Sequence, residues 1–187
     1  MIEIPSDLNP SLVPLAFLLG TWQGAGVADF PGDEASNFGQ QVTFSHDGRD
    51  FLEYTARSWR LDEAGERKAP LETEHGFWRI DAERRIEAVL VRDQGVVEVW
   101  YGELADGKPQ IDLATDAIAR TQASPPYAGG KRLYGYVNGD LMWVGEKATP
   151  EVPLRPYMSA QLKKAVDPRE WIGDLKDLPD DGIAFFK

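Results

Sequence analysis

Residues 20–26 read Gly-Thr-Trp-Gln-Gly-Ala-Gly, a GxWxGxG pattern that opens the first strand-like run of the chain. Trp22 is a large flat side chain, and Gly24 and Gly26 follow it on the same face of a strand, where side chains alternate. Glycines there let the backbone bend and let a neighbouring strand approach closely. The pattern from Gly20 to Gly26 therefore predicts a packing element at one end of a small β-barrel, in preference to a ligand contact.

Outward from this motif, tight-turn signals recur between strand-like runs. Asp47-Gly48, Asp106-Gly107 and Asn138-Gly139 each suit a two-residue hairpin, because both central positions tolerate positive φ. Successive hairpins favour an antiparallel meander. The strand-like runs are rich in β-branched and aromatic residues, and they read GTWQGAGVAD, QQVTFSH, DFLEYTARSWR, EHGFWRI, IEAVLVR, VVEVWYGEL, QIDLATDAIA, KRLYGYV, DLMWVGEK and a last run near LRPYMSAQLKK.

About ten strands in a chain of 187 residues suit a closed barrel better than a sandwich. Closure removes the exposed edges of a sheet, and the glycines within the strands suit the sharp bends of a small barrel. We therefore predict an all-β fold, a closed antiparallel up-and-down barrel of the lipocalin-like type. A barrel of this size has an interior large enough for a ligand.

Two short helices are predicted at the ends of the chain. The apolar run 11–19 would plug one end of the barrel. Asp167, as an N-cap before Pro168, predicts a brief helix after the last strand. Residues 1–165 are therefore assigned to the barrel and residues 166–187 to a C-terminal extension. We expect the apolar end of that extension to pack on the barrel.

Composition excludes several classes of function. The chain has no cysteine, which excludes disulfides, thiolate metal sites and cysteine nucleophiles. From the lack of cysteine we also expect a cytoplasmic protein. A net charge of −11 repels phosphate backbones and anionic lipids, so neither nucleic acid nor membrane is an expected partner. The apolar run 12–19 has no basic leader, so we expect no signal peptide. The expected partner is a small apolar molecule or a lipid, and the sequence leaves a homodimer open.

The chain resembles the nitrobindin family, the fatty-acid-binding-protein-like haem barrels, in several blocks that keep the family's order: GTWQGAG, VTFSHDGRDFLEYTARSW, HGFWRI, VVEVWYGEL and IDLATDAIART. The resemblance covers about residues 15 to 165 of this sequence. It implies a haem barrel in which one histidine on the last strand holds ferric iron. Such members are associated with nitric oxide binding and with the isomerisation of peroxynitrite to nitrate.

The resemblance places that histidine in a stretch similar to PLxPHLxAxLxR. Here residues 153–164 read PLRPYMSAQLKK, so Tyr157 stands in place of the histidine. A Met-His pair that projects near the other side of the haem in the family falls on Leu71 and Glu72. We therefore expect no cofactor and a loss of the family's isomerase activity, and no catalytic residue is assigned.

Tyr157 leaves one route to iron. Tyrosinate is a haem ligand, but a free phenol titrates at about 10 and needs a nearby cation to ionise. Arg155 is two residues away, so on a strand it would face the same way as Tyr157 and supply that charge, with Met158 on the opposite face. The other interpretation is a tyrosine hydroxyl that is hydrogen-bonded at the barrel mouth.

The remaining polar candidates have structural interpretations. We expect His46 to hydrogen-bond within its hairpin, and His75 either to pair with a carboxylate or to point into the cavity as a polar anchor. Two histidines are too few to make a shared metal site, so none is predicted. Glu72 and Glu74 share one face of a strand, and we expect both carboxylates to be solvated.

Three functions remain open from the sequence. The first is a carrier or sensor of a small apolar molecule that does not bind haem in the family's usual way. The second is a ferric haem protein, held through Tyr157 with Arg155 as charge partner, that handles nitric oxide or peroxynitrite. The third is a filled barrel that acts through its surface. A cavity on the order of several hundred Å³ would favour the first two.

Overall fold

A closed antiparallel sheet forms most of the protein in the computed structural model, which describes residues 4–32 and 34–165. Within those residues the sheet has ten strands: β1 (Gly20–Ala28), β2 (Ser36–Ser45), β3 (Leu52–Leu61), β4 (Arg67–Ile80), β5 (Arg85–Arg92), β6 (Val96–Leu104), β7 (Gln110–Arg120), β8 (Gly129–Val137), β9 (Asp140–Ala148) and β10 (Arg155–Lys164). Each strand pairs with the next along the chain, and β1 also pairs with β10. The predicted up-and-down barrel is therefore confirmed.

The N-terminal apolar run forms a 3₁₀ helix, Pro10–Leu18, that covers one end of the barrel. Pro14 lies inside it and has no N–H to donate, which disfavours the longer-range hydrogen bonds of an α-helix. Leu12 and Leu15 of this helix are fully buried. The Trp22 indole N–H donates to the Leu18 carbonyl at 2.7 Å, which ties the helix to β1. The predicted N-terminal plug is present, and the helix predicted at Asp167 lies outside the described residues.

None of the helical residues within 4–32 and 34–165 forms a segment long and apolar enough to cross a membrane.

Aromatic side chains fill the half of the barrel next to this plug. The ring of Trp78 lies 5.4 Å from that of Phe44, 5.8 Å from that of Tyr54 and 5.4 Å from that of Tyr134, measured between centroids. All four rings are buried. The contacts of Trp78 with Phe44 and Tyr134 are edge-to-face, and such contacts add to the stabilisation from apolar burial. Packed rings leave the opposite end of the barrel as the place for a site.

The glycines of the GxWxGxG motif lie where β1 presses against β10. A Cβ at Gly26 would lie 2.0 Å from the Ser159 carbonyl oxygen of β10 and 2.7 Å from the ring of Phe38. No side chain fits in that space without moving a backbone. The motif thus lets β1 and β10 meet where the barrel closes.

We expect Gly26→Ala to lower the free energy of unfolding by about 3 kcal/mol, because overpacking forces the backbone to shift. Gly135→Ala is the matched control: Gly135 is also a strand glycine, but a Cβ there would have only the Val137 side chain nearby, at 3.8 Å. The control should change stability by less than about 0.5 kcal/mol. Urea denaturation of both variants measures this, and equal losses would contradict the steric account.

Candidate functional site

The barrel mouth opposite the plug contains a cavity of about 370 Å³. β10 contributes Tyr157 and Met158 to its wall, and β4 contributes Leu71 and Glu72. Arg92 at the end of β5 also lines it. The structure therefore places Tyr157 and the Leu71–Glu72 pair in the wall of one cavity. The resemblance had assigned these positions to the two sides of the family's haem.

Arg155 does not share this cavity, so the expectation that it faces the same way as Tyr157 is wrong. Its side chain is exposed and is absent from the cavity wall. The pairing of β10 with β9 shifts between Pro156 and Met158, and this irregularity breaks the two-residue alternation. Tyr157 and Met158 are consequently both buried, although strict alternation would place them on opposite faces.

An ion network lies in the barrel interior beside the cavity. The guanidinium of Arg92 lies 3.0 Å from the Glu72 carboxylate, 3.2 Å from that of Glu74 and 2.7 Å from that of Glu98. Arg132, on β8, donates two hydrogen bonds to the Glu74 carboxylate, from Nη1 to Oε2 at 2.8 Å and from Nη2 to Oε1. We call these five residues the ion network.

Two tyrosine hydroxyls donate further hydrogen bonds to carboxylates of the ion network. The Tyr54 hydroxyl donates to Glu74 at 2.9 Å, and the Tyr127 hydroxyl donates to Glu98. Arg92, Arg132, Glu74 and Glu98 are all buried. Buried charges persist when they are paired and hydrogen-bonded, and here each carboxylate faces at least one guanidinium.

The ion network has three carboxylates and two guanidiniums. With fewer cations than anions, Glu72 and Glu74 differ in pKa. Burial alone would raise the pKa of Glu74, but Arg132 and Arg92 hold it at about 2. Burial raises the pKa of Glu72, and its neighbour Glu74 adds to that rise against the attraction of Arg92. Glu72 therefore takes up a proton before Glu74 as the pH falls, and it is the one of the three glutamates that lines the mouth cavity.

Tyr157 remains a neutral phenol in this environment. Burial raises the pKa of its hydroxyl to about 12, and the attraction of Arg92 does not offset that rise. Arg92 already pairs with three carboxylates, and their negative charges oppose the formation of a tyrosinate beside it. The phenol accordingly keeps its hydrogen for donation.

Sequence reasoning missed Arg92, Arg132 and Glu98 of the ion network. It also expected Glu72 and Glu74 to be solvated, which is wrong because both carboxylates are enclosed by the barrel. A signal was present in the alternation. Arg92 continues the inward series of Leu90 on β5, and Glu98 lies between the inward Val96 and Trp100 on β6. Opposite charges on the inward faces of adjacent strands predict a buried pair.

Both histidines lie away from the cavity. His75 is on the outer face of β4, where its Nδ1 lies 3.2 Å from the Thr55 hydroxyl, so it neither enters the cavity nor pairs with a carboxylate there. His46 follows β2 at the plug end, and its buried Nδ1 lacks the hydrogen bond that was expected. Across residues 4–32 and 34–165, no group of three or more histidine, aspartate or glutamate side chains is arranged to hold a metal ion.

The residues present at the mouth do not fit a histidine-ligated haem. The cavity wall offers a neutral phenol at position 157, and no histidine of the chain reaches it. Lys147 also lies in that wall, with its Nζ 3.9 Å from the ring centroid of Phe30. The buried, paired side chains of the ion network occupy the interior beyond Glu72.

Comparisons with known proteins agree with this architecture. Residues 11–164 match the family model described as a THAP4-like, heme-binding beta-barrel domain. The chain is 72% identical over 190 residues to a ferric nitrobindin-like protein of Streptomyces griseus, with 100% of both chains covered. It is 46% identical over 160 residues to a peroxynitrite isomerase of Nocardioides sp., which covers 86% of this chain and 96% of that protein.

A solved structure shows the same fold. The crystal structure of Rv2717c from M. tuberculosis superposes with a TM-score of 0.77 at 24% sequence identity, covering 85% of this chain and 99% of that one.

Proposed function

The chain belongs to the nitrobindin family of THAP4-like, haem-binding β-barrels, and from this premise we propose that it is a ligand-binding barrel that does not hold haem in the family's usual way. The proposed role is that of a cytoplasmic carrier or sensor of a small molecule bound at the mouth cavity. The observation that carries the proposal is the ion network, which fills the interior next to Tyr157.

The absence of an iron ligand supports the same conclusion. An iron held at position 157 would need a tyrosinate, and the buried phenol with a pKa of about 12 is protonated at neutral pH. Arg155, the cation that the alternative requires, is exposed to solvent. We therefore also propose that the chain lacks the activity for which the Nocardioides relative is named.

The cavity favours a neutral ligand with an apolar body. Phe30, Leu71 and Met158 provide apolar wall, while Glu72 and Tyr157 provide polar groups. Glu72 Oε1 accepts no hydrogen bond from the described residues, although it lies 3.0 Å from Arg92 in an ion pair. Arg92 is paired with three carboxylates of the ion network, so of the cations in the cavity wall it offers little attraction to an added anion.

Haem titration of the intact protein tests this proposal. We expect no saturable Soret band when ferric haem is added to the unmodified chain or to Tyr157→Phe. Native mass spectrometry of the purified protein should show a co-purified neutral small molecule, or uptake of one from a panel of neutral apolar compounds. A tight haem complex that is lost in Tyr157→Phe would establish the tyrosine-ligated alternative instead.

A further inference from the structure

The outside of the barrel has an apolar groove on one side. It spans β1, β10, β9 and β8 and encloses about 520 Å³. Four of its residues are exposed apolar side chains: Val27 (55% exposed), Leu133 (43%), Met142 (40%) and Val144 (40%). We call this surface the outer groove.

The strand register makes the outer groove continuous. Val144 lies opposite Leu133 on β8 and opposite Ser159 on β10, and Ser159 lies opposite Val27 on β1. Leu133, Val144 and Val27 therefore lie in one row across four strands, with Ser159 between Val144 and Val27. A contiguous apolar patch on a protein with a net charge of −11 indicates a surface that something covers.

The chain itself supplies a segment of suitable length next to this surface. β10 is one of the strands that form the outer groove, and the Ala165 amide donates to the Thr21 carbonyl at 2.8 Å where the barrel ends. Residues 166–187 continue from that point, beyond the end of the family match at 164. Even as a helix, a segment of that length spans about 33 Å, the length of a ten-residue strand.

The sequence of this extension is complementary to the outer groove. Trp171, Ile172, Leu175 and Leu178 recur at the spacing that places side chains on one face of a helix. The segment 177–181 reads DLPDD and is acidic, while the basic Lys131 and Lys163 are exposed on β8 and β10, which border the outer groove.

We propose that residues 166–187 fold back over the barrel and bury their apolar face in the outer groove. The extension would then act as a fixed cover for one side of the barrel, leaving the mouth cavity open to ligand. A second copy of the chain in the same groove is the competing occupant.

Limited proteolysis of the full chain tests this, because trypsin cleaves after Arg169 and Lys176 within the extension. In the unmodified protein these sites should be cut at least tenfold more slowly than in a free peptide of sequence 166–187. The double variant Leu133→Asp, Val144→Asp places two carboxylates opposite each other in the outer groove. We expect it to raise the cleavage rate at both sites about tenfold.

The matched control is Val91→Asp, Val97→Asp, a cross-strand pair on the outer faces of β5 and β6 with similar exposure. It should leave cleavage of the extension at the parent rate. Equal acceleration in both variants, or none in the groove variant, would overturn the proposal. So would a groove variant that converts a dimer into a monomer without faster cleavage.

Hydrogen exchange of the unmodified protein keeps the test valid if the groove variant does not fold. The proposal requires slowed exchange of the amides between residues 170 and 178. Exchange there at the rate of an unstructured peptide would contradict it.

Discussion

Arg92→Met should lower the free energy of unfolding by about 3–5 kcal/mol, because it leaves Glu72, Glu74 and Glu98 buried without the cation that they share. Methionine has a similar volume, so a large loss would come from the unpaired carboxylates and not from a cavity. Urea denaturation followed by tryptophan fluorescence measures the change. The loss should shrink below about pH 4, where carboxylates take up protons.

Arg85→Met on the same strand is the control. Arg85 pairs with Asp81 and Glu83, but its side chain is 68% exposed, so the pairs are solvated. Exposed ion pairs contribute about 0–1 kcal/mol, and this variant should differ little from the parent. If both variants lost the same stability, the buried ion network would not be what holds this half of the barrel together.

Only Glu74→Gln should lower stability at pH 7, and Glu72→Gln should not, although the two residues are neighbours on one face of β4. The pKa of Glu74 falls from its usual 4.5 to about 2 in the folded protein, so its carboxylate stabilises the fold above pH 4.5. Glu74→Gln should therefore destabilise the protein by on the order of 3 kcal/mol, since it also leaves Arg132 unpaired. Glu72 has a raised pKa, so replacing its carboxylate should leave stability unchanged or raise it.

The pH dependence follows from the same directions. The contribution of Glu74 is present above pH 4.5 and is lost as the pH falls towards about 2, so the unmodified protein should lose stability over that window. Glu74→Gln should flatten the curve there. The pKa of Glu72 is raised in the folded protein, so its effect on stability has the opposite pH dependence: the free energy of unfolding that it contributes is present below pH 4.5 and is lost as the pH rises through the raised pKa. Urea midpoints measured from pH 2 to 8 test both, and a loss in Glu72→Gln as large as that in Glu74→Gln would contradict the assignment.

The sequence predicted the barrel because its signals are local and repeated. Asn138-Gly139 forms the predicted two-residue turn between β8 and β9, with positive φ at both residues. Asp47-Gly48 and Asp106-Gly107 also join paired strands, but the two-residue turns predicted there are wrong, because these connections are the longer loops 46–51 and 105–109. The Gly24 and Gly26 spacing marks the strand that closes against β10. Each hairpin depends on residues that are neighbours in sequence, so it can be predicted from the sequence alone. Strand number and antiparallel order followed from that count.

The site was only partly predictable. Tyr157 and Glu72 were found through resemblance, and the structure places both at the mouth cavity. The bulge in β10 that exposes Arg155 is an irregularity of pairing, which strict alternation does not show. The partnership of Arg132 with Glu74 joins β8 to β4 across the barrel interior, and such contacts depend on the closed shape.

Haem titration of Tyr157→His is the most direct test of the central claim, that the ion network and not only the missing histidine keeps haem out. The substitution restores an imidazole at position 157 and leaves Glu72 and Arg92 in place. Ferric haem is added to the full-length variant, and the Soret band is followed after circular dichroism has confirmed the fold. We predict no saturable Soret band, and a tight one-to-one complex would contradict the claim.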